Sequence, residues 1–184
     1  MTHRIPPLLP EHLTQEQRTL YDEITGGPRA RGPQHFPLTS GDGSLRGPFD
    51  LMLRSPAIGT AQQALGAAIR YRSAFSDRAR ELAILLVAAR WDSAFERESH
   101  EAVARAIGFS ESELASLRAE DISSFTQEEA IVARVIIALL DGDLSDAQWT
   151  EASRMLGTDG IFEAIALVGY YSTLALQLRV FRVG

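Results

Sequence analysis

Two stretches of the chain, residues 82–89 and 161–176, are apolar on nearly every side, and the remaining pattern is amphipathic around them. A helix that is apolar all round must be covered by other elements, so each stretch predicts a buried helix rather than a surface one. Local start signals place the rest. Thr14 with Gln17, Ser110 with Glu113, Thr126 with Glu129 and Ser145 with Gln148 all have the spacing of a reciprocal helix-start box. Pro48 and Pro56 suit first helical positions, predicting a short helix over 49–53 and a longer one over 57–73. Ser76 and Asp77 open the first apolar helix, which should break or bend near 91–94, and Thr158-Asp159-Gly160 opens the last, reaching about Phe181. No run alternates with period two. The pattern therefore predicts an all-α protein of seven or eight helices in a single domain over residues 1–184.

Between these helices lie two irregular stretches. Residues 1–13, with Pro6, Pro7 and Pro10, read as an extended arm. Residues 27–47 carry nine glycines and prolines counting Pro48 just beyond, and are expected to form a long loop or lid. Gly41-x-Gly43 within it lacks the preceding strand and following helix of a phosphate loop, so phosphate binding is not expected.

Ionisable residues break into the first apolar helix in a way that suggests chemistry. Glu81 precedes the run, Arg90-Trp91-Asp92-Ser93 closes it, and Glu96 and His100 follow four residues apart on one helical face. An i,i+4 Glu/His pair beside Arg97, Glu98, Glu101 and Arg105 is commonly just a solvated face. Ser93 belongs to the same stripe, but as a nucleophile it would sit two helical turns, about 10 Å, from His100. A helix cap or a hydrogen bond to substrate suits it better.

Glu81, Ser93, Glu96 and His100 fall at offsets of 12, 15 and 19, and this layout resembles the carboxymuconolactone decarboxylase and AhpD-like superfamily, whose core motif is E-x11-C-x2-C-x3-H. Gly47-Pro48-Phe49, Leu53-Arg54-Ser55-Pro56 and Arg80-Glu81-Leu82-Ala83-Ile84-Leu85 are similar to the decarboxylase-like branch. The likeness covers roughly residues 47–108. It implies an AhpD-like helical bundle, a trimer or hexamer, and a cofactor-independent lyase acting on a small carboxylated lactone or cyclic organic acid. Glu81, Glu96 and His100 would be its catalytic residues. The departure is equally informative: Ser93 and Glu96 stand where the redox cysteines would be, and the chain has no cysteine. Thiol peroxidase chemistry requires a thiolate and is excluded.

Composition narrows the classes further. All eighteen basic residues are arginine, so Schiff-base chemistry on lysine and a P-loop lysine are both ruled out. A net charge of −6 argues against nucleic acid as a partner. His3, His12 and His35 lie in the arm and loop, away from any metal-ligand spacing with His100, and no metal or other cofactor is expected. MTHRIPPLLP lacks the apolar segment of a signal sequence and residues 161–176 are short for a membrane span, so the expectation is a cytoplasmic protein that uses no membrane.

The expected chemistry is acid–base. Decarboxylation leaves an electron-rich carbon that must be stabilised and protonated, and an imidazole paired with carboxylates suits that step. An arginine would anchor the anionic substrate, with Arg46, Arg72 and Arg90 the candidates, and Trp91 and Phe95 are candidate pocket walls or core residues. Isomerisation, dehydration or lactone opening would use the same groups. The competing class is a non-catalytic ligand-binding or interaction protein on the same scaffold. A faint echo of residues 101–108 in 151–157 would put Asp146 and Thr150 near the positions of Glu96 and His100 in a second, siteless copy.

Overall fold

The structure, a computed structural model, describes residues 3–31 and 35–183. It is all-α. After an arm with one 3-10 turn at Pro10–His12 come α1 (Gln15–Gly26), α2 (Pro28–Arg31), α3 (Pro48–Met52), α4 (Pro56–Arg72), α5 (Asp77–Arg90), α6 (Ala94–Ala106), α7 (Glu111–Arg118), α8 (Gln127–Asp141) and α9 (Asp146–Phe181).

The hub is α5. Every residue from Ala79 to Ala88 is buried, and the helix packs against α6, α7, α8 and α9. Ser76 caps it by accepting the Ala79 N–H at 3.2 Å. Of the break or bend expected here, the structure has a break: Asp92 takes φ 48, the Ser93 N–H reaches back to the Ala88 carbonyl at 2.9 Å, and α6 turns away. That elbow folds α6 back against α5, bringing residues distant in sequence onto facing surfaces.

Three of the four predicted start boxes form in both directions, at Thr14, Ser110 and Ser145. The fourth does not. Thr126 sits at the N-cap of α8 without a side-chain bond: the next residue, Gln127, holds φ 53, outside the helical range, and the Glu129 carboxylate goes to Arg78 at 2.7 Å. In α9, Gly157 adopts φ 68, ψ 175, so the helix breaks where the sequence suggested a fresh start. The C-terminal part of α9 has two apolar faces. Ile161, Ala164, Leu167, Tyr171, Leu174 and Leu178 are buried, while Phe162, Ile165, Leu176 and Val180 are exposed. Length and composition alone would let α9 cross a membrane.

The stretch expected to be one long loop is more ordered than its glycines suggest, apart from residues 32–34, which lie outside the described region. Residues 28–31 form a helical turn. Thr39 and Leu45 make an antiparallel bridge, the Arg46 N–H donates to the Leu38 carbonyl at 2.9 Å, and the Tyr21 hydroxyl donates to the Gly43 carbonyl at 2.8 Å. Leu45 is buried in the core. The arm is tied down as well: the Leu8 N–H donates to Asp50 at 2.8 Å, and the Arg4 N–H to the Phe181 carbonyl at 3.1 Å.

Candidate functional site

Glu81 on α5 and His100 on α6 meet across the elbow. His100 Nδ1 lies 2.7 Å from Glu81 Oε2, and its other nitrogen, Nε2, lies 3.7 Å from Glu96 Oε2. All three side chains are buried, with Glu81 1%, Glu96 3% and His100 5% exposed. An ionised Glu81 accepts the Nδ1–H, which fixes the tautomer and leaves Nε2 facing Glu96 as the nitrogen that takes or gives a proton. The edge of the imidazole meets the Tyr171 ring from α9 with centroids 5.2 Å apart, and Tyr170 stacks edge-on against Tyr171 at 5.1 Å. Three helices thus hold the imidazole in one orientation. The result is a carboxylate–imidazole–carboxylate row in an apolar surround, suited to moving a proton along one line.

The other candidates scatter. Ser93 occupies the N-cap of α6 and is buried, but its hydroxyl makes no capping bond. Because the break precedes Ser93, it remains two turns from His100 on one helix, about 10 Å, and the serine-nucleophile geometry does not arise. Trp91 is a clamp at the elbow. Its indole N–H donates to Ser172 Oγ at 2.9 Å, the Arg179 guanidinium stacks 5.5 Å from its ring, and Arg179 also donates to its carbonyl. Phe95 packs edge-on against Phe36, with centroids 6.5 Å apart, and lies over Gly47.

The three arginines separate clearly. Arg90 lies at the far end of α5 from Glu81 and is engaged by Glu120 at 2.7 Å and Asp141 at 2.7 Å. Its hydrogen bonds to Glu120, then Asp141, push its pKa up further. That makes it a tie between α5 and the ends of α7 and α8. Arg72 is exposed at the C-terminal end of α4. Arg46 is exposed and borders a cavity of about 310 Å³ whose wall includes Gly47, Asp50 and Phe95.

Sequence reasoning missed two participants. Arg80 is 9% exposed, and its Nε lies 4.0 Å from Glu81 Oε1. Its position next to Glu81 in an apolar helix was the available signal. Tyr171 carried none, being one aromatic in an apolar run. Asp146 and Thr150, the echo positions, are exposed, and the Thr150 hydroxyl donates back to the Asp146 carbonyl at 2.8 Å, so among the described residues the two do not build a second buried row. Among the described residues, no group of three or more acidic or histidine side chains is placed to hold a metal ion.

No family model matches the sequence, and no curated protein matches it significantly. The class defined by fold and site is therefore stated in structural terms: an all-helical protein with a buried Glu–His–Glu row at a helix elbow.

Proposed function

We propose that the protein is a cofactor-independent acid–base enzyme of the carboxymuconolactone decarboxylase type, acting on a small carboxylated lactone or cyclic organic acid. The observation that carries this reading is the 2.7 Å contact between Glu81 and His100 Nδ1, with Glu96 3.7 Å from Nε2. In decarboxylation, the bond between the ring carbon and the substrate carboxylate breaks and carbon dioxide leaves. The electron pair stays on the carbon, delocalised into the lactone carbonyl, and is quenched by one proton. That proton is taken up from solvent at Nε2 of the resting neutral His100, directly or through Glu96, and passed from Nε2 to the carbon, while Glu81 stabilises the imidazolium that exists between uptake and transfer. A positioned group of this kind contributes typically ~10²–10⁴-fold. Arg46 is the preferred anchor for the substrate carboxylate, since it borders a cavity on the Phe95 side of α6 and the Arg90 guanidinium is already committed.

The protein is proposed to assemble with copies of itself. The exposed apolar face of α9, with Phe162 72% exposed, is the support for this. A cytoplasmic setting belongs to the same reading.

The test is carbon dioxide release from a panel of carboxylated lactones. Turnover by the wild type that His100→Gln and Glu81→Gln both lose supports the proposal. Turnover that survives His100→Gln sinks it. The second reading, a non-catalytic scaffold, draws on the near-complete burial of all three groups, which is what a purely structural polar lock would also show.

A further inference from the structure

We infer that Arg80 is the positioning residue of the Glu–His–Glu row, keeping Glu81 a carboxylate so that His100 stays neutral with its proton on Nδ1. The inference rests on the acid–base reading above for its significance, though not for its test.

Arg80 and Glu81 are neighbours on α5, yet both turn into the protein. Arg80 is 9% exposed and Glu81 1%. One guanidinium nitrogen of Arg80 is held by Asp77 at 2.6 Å, a partner whose own side chain is 72% exposed. Its Nε is buried without a hydrogen-bond partner, and so is Glu81 Oε1, the oxygen that does not face His100. These two atoms lie 4.0 Å apart, too far for a hydrogen bond and close enough for strong attraction where water is excluded.

The arrangement divides the labour of the carboxylate. Oε2 takes the imidazole N–H, and Oε1 faces a permanent cation that cannot be deprotonated. Among the described residues, His100 faces Glu81, with Arg80 behind it on α5, and Glu96 on α6; from α9 it meets the Tyr171 ring. With Arg80 present, Glu81 is already balanced. Without it, the charge of the buried Glu81 would fall on the imidazole it bonds and would favour the imidazolium. A permanently charged imidazole has no free nitrogen to accept a proton. Arg80 thus sets which form of His100 rests in the site, without touching a substrate.

Histidine-labelled protein and long-range nitrogen–proton correlation spectra read this directly, with the His100 signals assigned by their absence in His100→Gln. The wild type should show a neutral ring protonated on Nδ1 at pH 7. Arg80→Gln should raise the imidazolium fraction by about threefold or more, because a neighbouring charge has been removed. Arg80→Lys should restore much of the wild-type pattern, since it keeps the charge and loses only the planar head. If Arg80→Gln fails to fold, Asp77→Asn provides the second reading: it frees Arg80 toward Glu81, so on acidification the imidazolium signals should appear at lower pH than in the wild type. Superimposable His100 spectra for wild type, Arg80→Gln and Asp77→Asn would overturn the inference. So would equal changes in Arg80→Gln and Arg80→Lys, which would mean shape and not charge matters. Failure of the enzyme reading would look different: turnover surviving His100→Gln, with these spectra unaffected.

Discussion

Phe95 lies against Gly47 so closely that a Cβ built on the glycine would fall 2.2 Å from the ring. Gly47 also holds φ 59, a conformation that L side chains rarely adopt. The glycine lets the 35–47 segment and the start of α3 approach the first turn of α6, next to Glu96. Both sterics and backbone strain oppose any side chain there. Gly47→Ala should lower stability by ~2–4 kcal/mol, measured by denaturant unfolding. Phe95→Ala should relieve the steric part. In the double variant the Gly47→Ala cost should fall to the ~1–2 kcal/mol of the backbone term alone. Strictly additive losses would mean that the ring and the glycine are not coupled.

Arg90 was one of three arginines the sequence offered as substrate anchors, and its ion pairs mark it as structural. Its side chain is about one-third exposed, so the pairs are partly screened. Arg90→Ala should cost only ~0.5–1.5 kcal/mol and leave turnover within a factor of two, whereas Arg46→Ala should raise KM. A KM effect of Arg90→Ala with none for Arg46→Ala would reverse the assignment.

Glu101 provides the pH dependence. It is 6% exposed and accepts from Arg118 at 2.6 Å and Arg105 at 3.1 Å. Burial alone would push its pKa up, but the hydrogen bonds and charge of Arg118, then Arg105, outweigh it, and the net direction is down. A carboxylate depressed in the folded state contributes stability that is present above its unfolded pKa and lost as pH falls through the folded one. Unfolding free energy should therefore drop as pH falls below about 4.5. Glu101→Gln should be ~1–2 kcal/mol less stable at pH 7 and nearly equal to the wild type at pH 3. Parallel pH profiles for the two proteins would count against this.

Local features were legible in the sequence, and long-range ones were not. Thr14, Ser110 and Ser145 form their start boxes because donor and acceptor are three residues apart and nothing competes. Thr126 forms no such box: Gln127 after it holds φ 53, and Arg78, 51 residues from Glu129, takes the carboxylate that would have closed the other half. The elbow after α5 was visible as a polar interruption of an apolar run, and with it the chance that Glu81 and His100 could meet. That Arg90 is engaged elsewhere was not visible, because the partners that occupy it, Glu120 and Asp141, come from the ends of α7 and α8. The order in residues 35–47 was missed for the same reason: Tyr21 and the buried Leu45 hold a segment whose own composition reads as loop.

The exposed face of α9 predicts the assembly. Phe162, Ile165, Leu176 and Val180 would each lose favourable burial in an isolated chain. Sedimentation at micromolar concentration should give a mass at least twice the 20.2 kDa of one chain. Phe162→Glu with Ile165→Glu should shift it to monomer with helix content retained. A wild type that sediments as a monomer would refute the interface.

The last prediction separates a catalytic row from a structural lock without needing a substrate. Desolvating two carboxylates and an imidazole is costly, and buried ionic clusters are often no more stable than apolar side chains of similar volume. Proteins retain such clusters at functional sites against stability. Replacing the whole row, as Glu81→Met with Glu96→Met and His100→Leu, removes the desolvation cost together with the contacts. Arg80 keeps its Asp77 partner near the surface. If the row exists for chemistry, this triple variant should be as stable as the wild type or up to ~1–4 kcal/mol more stable, and inert. His100→Ala alone should instead lose ~3–5 kcal/mol, since it takes the hydrogen-bond donor away from the buried Glu81 carboxylate and leaves the space of the ring behind. If the row is a lock holding α6 to α5, the triple variant should fall by more than ~3 kcal/mol, with faster hydrogen exchange across the elbow. Guanidinium unfolding of the three proteins decides between these outcomes.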